Sequence, residues 1–316
     1  MTTNLPSPTR EYKNHHLDST RWRAFQPRDD DIIVTTSYKS GTTWMQQILH
    51  LLIFKDTPSA LPVGLVSPWI DARFHGPLEE VAAGLEAQTH RRFVKSHLPL
   101  DGLPYYPRVK YVVVARDARD VFMSLWNHYG SYTDEIMQRL NERSGWSGES
   151  LPDPPAADSI RELWHEWMTR GWFGWESEGW PFWSNLHHTQ TYWPYRDLEN
   201  IRFFHYADML ADLRGQILRL AGYLGFELTD EELERVLESS SFDQMKKDYK
   251  ATMDEPLRGA FKGGADSFIF KGTNGRWRDV LTAQDLSLYE AAKERVLTPD
   301  CAAWLETGWL GSGSSS

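Results

Sequence analysis

The sequence predicts an α/β fold in which one central parallel sheet is flanked by helices, and three observations carry that prediction. Four short β-rich runs, Ile32–Thr36, Arg92–Lys95, Val109–Ala115 and Ile201–His205, are spread along the chain. Apolar patterns of helical period follow three of them. A loop dense in hydroxyl side chains, "TTSYKSGTTW" (Thr35–Trp44), leads from the first run into the first helical pattern.

Taken in order, Trp44, Ile48, Leu51 and Leu52 recur at helix spacing after the first run. Val121, Leu125 and Trp126 do so after the third, and Leu213, Ile217, Leu220 and Leu224 after the fourth. Strands alternating with helices imply parallel pairing through crossover connections. "VKYVVVA" is almost continuously apolar, as a strand covered on both faces must be. The middle of the chain differs. Ser144–Asp158 is a proline- and glycine-rich loop, and nine of the fifteen tryptophans lie between Trp126 and Trp193. Trp164, Trp167, Trp172 and Trp175 are spaced close to a helical period, which fits core packing. Gly171, Gly174 and Gly179 make the segment irregular, which leaves an aromatic acceptor pocket as a second reading. With no internal repeat and no linker, one domain is expected over residues 1–310, followed by a flexible tail at 311–316, "GSGSSS".

Composition narrows the function. A formal charge of −10 on 316 residues argues against a general nucleic-acid binder, so any phosphate site is a local basic pocket in an acidic body. The single cysteine, Cys301, forms no internal disulfide and matches no zinc spacing. The polar N-terminus has no apolar signal core, and Ile48–Phe54, interrupted by His50, is too short for a membrane span. A soluble, cytoplasmic protein acting on a small molecule is expected.

The hydroxyl-rich loop supplies the chemistry. A strand, a tight loop and a helix present backbone N–H groups and the helix dipole to an anion. Lys39 adds a full charge, and the Thr42 and Thr43 hydroxyls are further candidate donors. The loop is P-loop-like but departs from the nucleoside-triphosphate pattern, in which lysine follows the last glycine. Here Lys39 precedes Gly41, which disfavours a magnesium–triphosphate enzyme. Lys95 and His97 are two apart in an extended run and project from one face. Lys39, His97 and Arg116 all fall just past strand ends, where open parallel sheets bind ligands. A salt bridge from Arg116 to Asp117 or Asp120 is its bland alternative. Ser124, within a helical pattern, reads either as a phosphate contact or as a serine bonded to its own helix.

"YKSGTTW" resembles the signature loop of the cytosolic sulfotransferase family, with Tyr38 where that family usually has proline. "FVKSHLPL" (Phe93–Leu100) is similar to the family's segment with the catalytic histidine. "VVVARDARDVFMSLWNHY" (Val112–Tyr129) is similar to the segment with an arginine and a serine for the 3'-phosphate. "FIFKGTNGRWRDVLT" (Phe268–Thr282) is similar to its Arg-Lys-Gly-x-x-Gly-x-Trp-Lys region, and "FHYADM" and "SSSFDQMKK" match nucleotide-contacting segments more weakly. The resemblance runs from Asp29 to about Glu290.

The resemblance implies a PAPS-dependent sulfotransferase. It would move a sulfuryl group from 3'-phosphoadenosine 5'-phosphosulfate (PAPS) to a hydroxyl or amine of a small, apolar or aromatic acceptor, leaving adenosine 3',5'-bisphosphate. It assigns His97 as general base, and Lys39 and Lys95 to charge on the leaving phosphate and the transferring group. Ser40, Gly41, Thr42 and Thr43 would hold the 5'-phosphate through backbone N–H groups, and Arg116 and Ser124 the 3'-phosphate. Tyr206, Ser240, Phe242 and Met245 would line the adenosine, with Lys271 and Gly272 beside it. Trp44 either stacks on adenine or belongs to the core. No metal site is implied. Phe270 replaces the family's arginine, so weaker donor binding is expected. A partial match at "RDVLTAQDLS" leaves monomer or homodimer open. A kinase-like phosphotransferase, or a non-catalytic nucleotide-binding protein, is the alternative.

Overall fold

The structure, a computed structural model, describes residues 5–55, 63–142, 148–253 and 258–311. Ile32–Thr36 (β1), Phe93–Ser96 (β2), Lys110–Ala115 (β3) and Ile201–His205 (β4) form one parallel sheet in the order β2-β1-β3-β4. Each strand coincides with a predicted run to within a residue. In register, Thr35 lies between Ser96 and Val113, so the C-terminal ends of β2, β1 and β3 are level.

Parallel strands need both faces covered, because crossover helices pack on each. Side chains alternate accordingly. Ile32, Val34, Val112, Val114 and Phe204 enter one core layer, and Ile33, Val113, Ala115 and Phe203 the other. The first layer is closed by Thr42–Phe54 (α1), through Met45, Ile48, Leu49 and Leu52. The second is closed by Ala118–Gly130 (α2), through Val121, Phe122 and Leu125, and by Ile160–Thr169 (α3) with its buried Trp164 and Trp167. Leu213–Leu224 (α4) returns to the first layer, as its spacing predicts. The helix after β1 and the helix after β3 therefore lie on opposite faces. Between them the strand order reverses, which opens a crevice at the strand tips.

The C-terminal helical stretch Pro299–Gly311 (α5) packs Cys301, Trp304 and Leu305 into the second layer. The rest of the expected tail, 312–316, lies outside the described residues, as do residues 143–147 at the start of the proline-rich loop. The N-terminal segment does more than its polarity suggests. Tyr12, His15, His16 and Leu17 are buried, with the Leu17 backbone bridged to Ala72. No helix among the described residues is long and apolar enough to cross a membrane.

Candidate active site

Every strand leads at its C-terminal end to a predicted site residue. His97 follows β2 directly, Arg116 follows β3, Tyr206 follows β4, and Lys39 sits in the loop after β1. All of these line one cleft of about 310 Å³, within the range of small-molecule sites.

The loop after β1 is shaped by its hydroxyls rather than advertised by them. The Ser37 and Ser40 hydroxyls bond each other at 2.6 Å, and Thr42 bonds Thr36 at 2.6 Å. Ser37 also accepts from the Asn185 amide. Ser40 is buried behind the wall and reaches the cleft through no side-chain atom, and Thr42 is already partnered; Thr43 also lines the cleft. Thr42 lines the cleft too, and in its bond with Thr36 either hydroxyl can be the donor. The backbone is what stays available. Lys39 (φ 63°) and Gly41 (φ 107°) take left-handed backbone and curl the loop over the strand end. A Cβ on Gly41 would stand 2.9 Å from the Tyr206 ring, so both its conformation and its closeness require glycine. Gly41 is the N-cap of α1 and provides no capping side chain. The first N–H groups of α1 thus have no side-chain partner from the cap and are open to an anion.

Lys39 is held in the cleft by a hydrogen bond from Nζ to His128 Nδ1 of 3.2 Å, with Nζ 5.5 Å from the Phe268 ring. Burial, then the charges of Lys95 and Arg116, hold its pKa down to about 7. Accepting at Nδ1 leaves His128 Nε2 to donate to Tyr38 Oη at 2.8 Å, and the Tyr38 and Tyr132 hydroxyls bond each other at 2.8 Å. Tyr38, the residue that replaces the family's proline, is thus tied into the support of Lys39.

His97 is 2 % exposed. Its Nδ1 lies 2.8 Å from the Thr36 carbonyl oxygen. A carbonyl only accepts, so Nδ1 carries the proton and Nε2 keeps its lone pair. The ring sits edge-on to Trp69 at 4.7 Å and to Tyr38 at 5.5 Å. Burial, reinforced by Lys95, holds His97 well below the usual imidazole range, so it is neutral. Lys95 Nζ lies 4.6 Å from the Trp69 ring, and burial pushes its pKa down to about 8, opposed by Asp71. Asp71 is buried beneath, accepting from the indole N–H groups of Trp22 (3.0 Å) and Trp69 (2.6 Å).

Arg116 does not form the salt bridge its neighbours suggested. Asp117 pairs with Arg119 and caps α2, while Asp120 accepts from Gly275 N at 2.6 Å. Arg116 donates instead to Asn274 Oδ1 and the Thr273 carbonyl, both at 2.9 Å, and its guanidinium stacks 4.2 Å from the Tyr206 ring. Ser124, Phe242, Met245, Lys271 and Gly272 line the same end of the cleft. Gly272 (φ 65°) lets the Phe242 ring press onto its backbone, where a Cβ would approach to 2.4 Å. Ser240 is buried and donates to the Val236 carbonyl; its own carbonyl accepts from Trp44 Nε1 at 2.8 Å. Trp44 lines the cleft with one side and borders the first core layer with the other.

The cleft also has an apolar wall, lined by Phe74, Ile136, Leu140, Tyr132, Phe261 and Phe268. None of the tryptophans from Trp164 to Trp193 lines the cleft. Trp164 and Trp167 are core, as the helical spacing suggests, whereas Trp172 only borders the core and Trp175 is exposed. Sequence reasoning missed His16, Trp69, His128, Phe268 and Arg276. His128 lies inside a segment already singled out, and four residues from Ser124 on one helix is the spacing that puts both on one face.

A sheet whose strand tips gather a phosphate-type loop, three cations and a neutral histidine defines a nucleotide-dependent group-transfer enzyme of the α/β class. Residues 29–298 match the family described as the sulfotransferase domain. A glycolipid sulfotransferase from Mycobacterium bovis is 34% identical over 312 residues, covering 95% of each chain. Sulfotransferase 1A1 from Rattus norvegicus is 26% identical over 281 residues, covering 86% of each. A crystal structure of retinol dehydratase with retinol and PAP superposes with a TM-score of 0.65 at 25% identity, covering 90% of this chain and 87% of that one. The chain belongs to the sulfotransferase family.

Proposed function

We propose that this protein transfers a sulfuryl group from 3'-phosphoadenosine 5'-phosphosulfate to the hydroxyl of an apolar, lipid-like or ring-bearing acceptor, with His97 as general base. The observation that carries the reading is the His97–Thr36 bond, which fixes the tautomer and leaves Nε2 as a proton acceptor in the cleft. A deprotonating acceptor hydroxyl gives its proton to Nε2 as its oxygen bonds sulfur. The bond from sulfur to the 5'-phosphate oxygen breaks, and Lys39 and Lys95 meet the charge that develops there. Helix N–H groups from Gly41 onward suit the 5'-phosphate, while Arg116 and Ser124 suit the 3'-phosphate. Trp44 and Phe242 suit the two sides of the base. An acid role for His97 is disfavoured, because burial keeps the ring unprotonated at neutral pH and leaves Nε2 with no proton to give.

Acceptor class rests on the apolar wall: Phe74, Ile136, Leu140 and Phe261 offer no charged group to a substrate. A relative called a glycolipid sulfotransferase and a neighbour solved with retinol are consistent with such acceptors. The test is transfer of labelled sulfonate from the donor to a panel of long-chain alcohols, ring alcohols, phenols and free sugars. Transfer to the apolar alcohols or phenols is expected. Transfer confined to free sugars, or to none of the panel, contradicts the proposal.

A further inference from the structure

The cation-bearing end of the cleft holds one more charge than the family pattern assigns to it. Arg276 lines the cleft together with Arg116 and Lys271. It occupies the variable position between Gly275 and Trp277, in a short turn anchored where Gly275 N donates to Asp120 at 2.6 Å. Among the described residues Arg276 makes no hydrogen bond and no salt bridge, and its Nε is buried with no partner. Its guanidinium lies 5.3 Å from the ring of Phe270, and Lys271 Nζ lies 5.3 Å from that ring as well. Phe270 is therefore an uncharged platform near two cations. Burial and then the positive charge of Arg116 weigh against the charged form of Arg276, opposed by Asp120 and Tyr206. Arg116 has its own contacts to the 273–274 backbone and side chain; Arg276 has none. A half-buried guanidinium with free donors beside two like charges is the arrangement that a multiply charged anion completes.

We propose that Arg276 binds the second phosphate of the nucleotide, supplying from position 276 the guanidinium that position 270 lacks. The inference rests on the donor reading above and deepens it. Phe270 then costs the site little, because it supports Arg276 instead of replacing a charge. The proposal runs against the weaker donor binding expected from Phe270 alone, because a guanidinium at 270 would crowd the space Arg276 already fills.

Calorimetric titration of the full chain with adenosine 3',5'-bisphosphate and with adenosine 5'-monophosphate tests this. Arg276→Gln is expected to weaken the bisphosphate by about ten- to a hundredfold, the scale of a charge-assisted contact, and to leave the monophosphate within about twofold. Arg276→Lys is expected to recover part of the loss, and Phe270→Arg not to tighten the bisphosphate. The unliganded melting temperature of Arg276→Gln should be no lower than the parent's, since Arg276 holds no structural hydrogen bond and burial disfavours its charge. Equal weakening of both nucleotides, no weakening, or a tighter Phe270→Arg overturns the role of Arg276 while leaving the functional reading intact. A parent protein that does not prefer the bisphosphate overturns both.

Discussion

The two walls of the cleft are built in different ways. The cation-bearing wall is made at strand tips, from segments in which strand, loop and helix are contiguous: Thr36 to Trp44, Ala115 to Ser124, His205 to Tyr206. The apolar wall is assembled from pieces that share nothing in sequence: Phe74, then Ile136 and Leu140, then Phe261 and Phe268, with His16 from the N-terminus behind. Backbone geometry fixes the first wall, so short contiguous motifs carry it. Only tertiary packing fixes the second, so no contiguous motif does.

That contrast predicts effects of different kinds. The largest belongs to the proton acceptor. His97→Ala should lower kcat by about 10²- to 10⁴-fold, the usual range for a lost general base, while calorimetry shows bisphosphate affinity retained. Retained turnover would move the base elsewhere. Next is Lys39→Met, expected to cost roughly 10²- to 10³-fold in kcat, as removal of a charge-stabilising group does. It carries a second signature. The folded pKa of Lys39 is depressed to about 7, so folding releases its proton between that value and the ordinary lysine range near 10.4. The unfolded chain binds more protons across that window, so the penalty is full below pH about 7 and fades as pH rises toward about 10. The unliganded Lys39→Met protein should therefore melt higher than the parent at neutral pH, with the gap closing in alkali; a lower melting temperature at neutral pH would show that Lys39 is a structural group.

A smaller effect is expected on the other wall. Ile136→Ala should raise KM for an apolar acceptor by roughly three- to thirtyfold, the worth of a few methylenes in a pocket, with donor affinity unmoved. Parallel loss of donor affinity would mean the walls are not separable. The last concerns protons. Bisphosphate binding should charge Lys39 and Lys95, whose free pKa values are about 7 and about 8. Affinity should thus rise roughly tenfold as pH falls from about 8 to about 7, with proton uptake measured by calorimetry in two buffers of different ionisation heat. Proton release instead would contradict the charged-lysine account.

The same contrast explains what could be seen in the sequence. Strand runs and the helices after them were legible because alternation and helical period are local, and all of β1 to β4 fall where the apolar runs do. Lys39, His97 and Arg116 were legible because each stands next to a strand end. The loop hydroxyls were less legible: Ser37 and Ser40 bond each other and Thr42 bonds Thr36 at the end of β1, pairings that no spacing rule gives. The tryptophan-dense segment was ambiguous because burial depends on what α3 packs against. Phe122 faces Trp164 at 4.9 Å, a partner some forty residues away in sequence. His16 was invisible for the same reason. A polar N-terminal stretch gives no sign that Asn14 to Leu17 are buried against Pro181 and Phe182.

The most direct measurement is calorimetric binding of adenosine 3',5'-bisphosphate in chelator, set against ATP with magnesium, on the parent and on a Lys39→Glu/Arg116→Glu double variant. The account predicts that the parent binds the bisphosphate without added metal and prefers it to ATP, and that the double variant loses it. Preference for magnesium ATP, or bisphosphate binding that survives reversal of both charges, would contradict it.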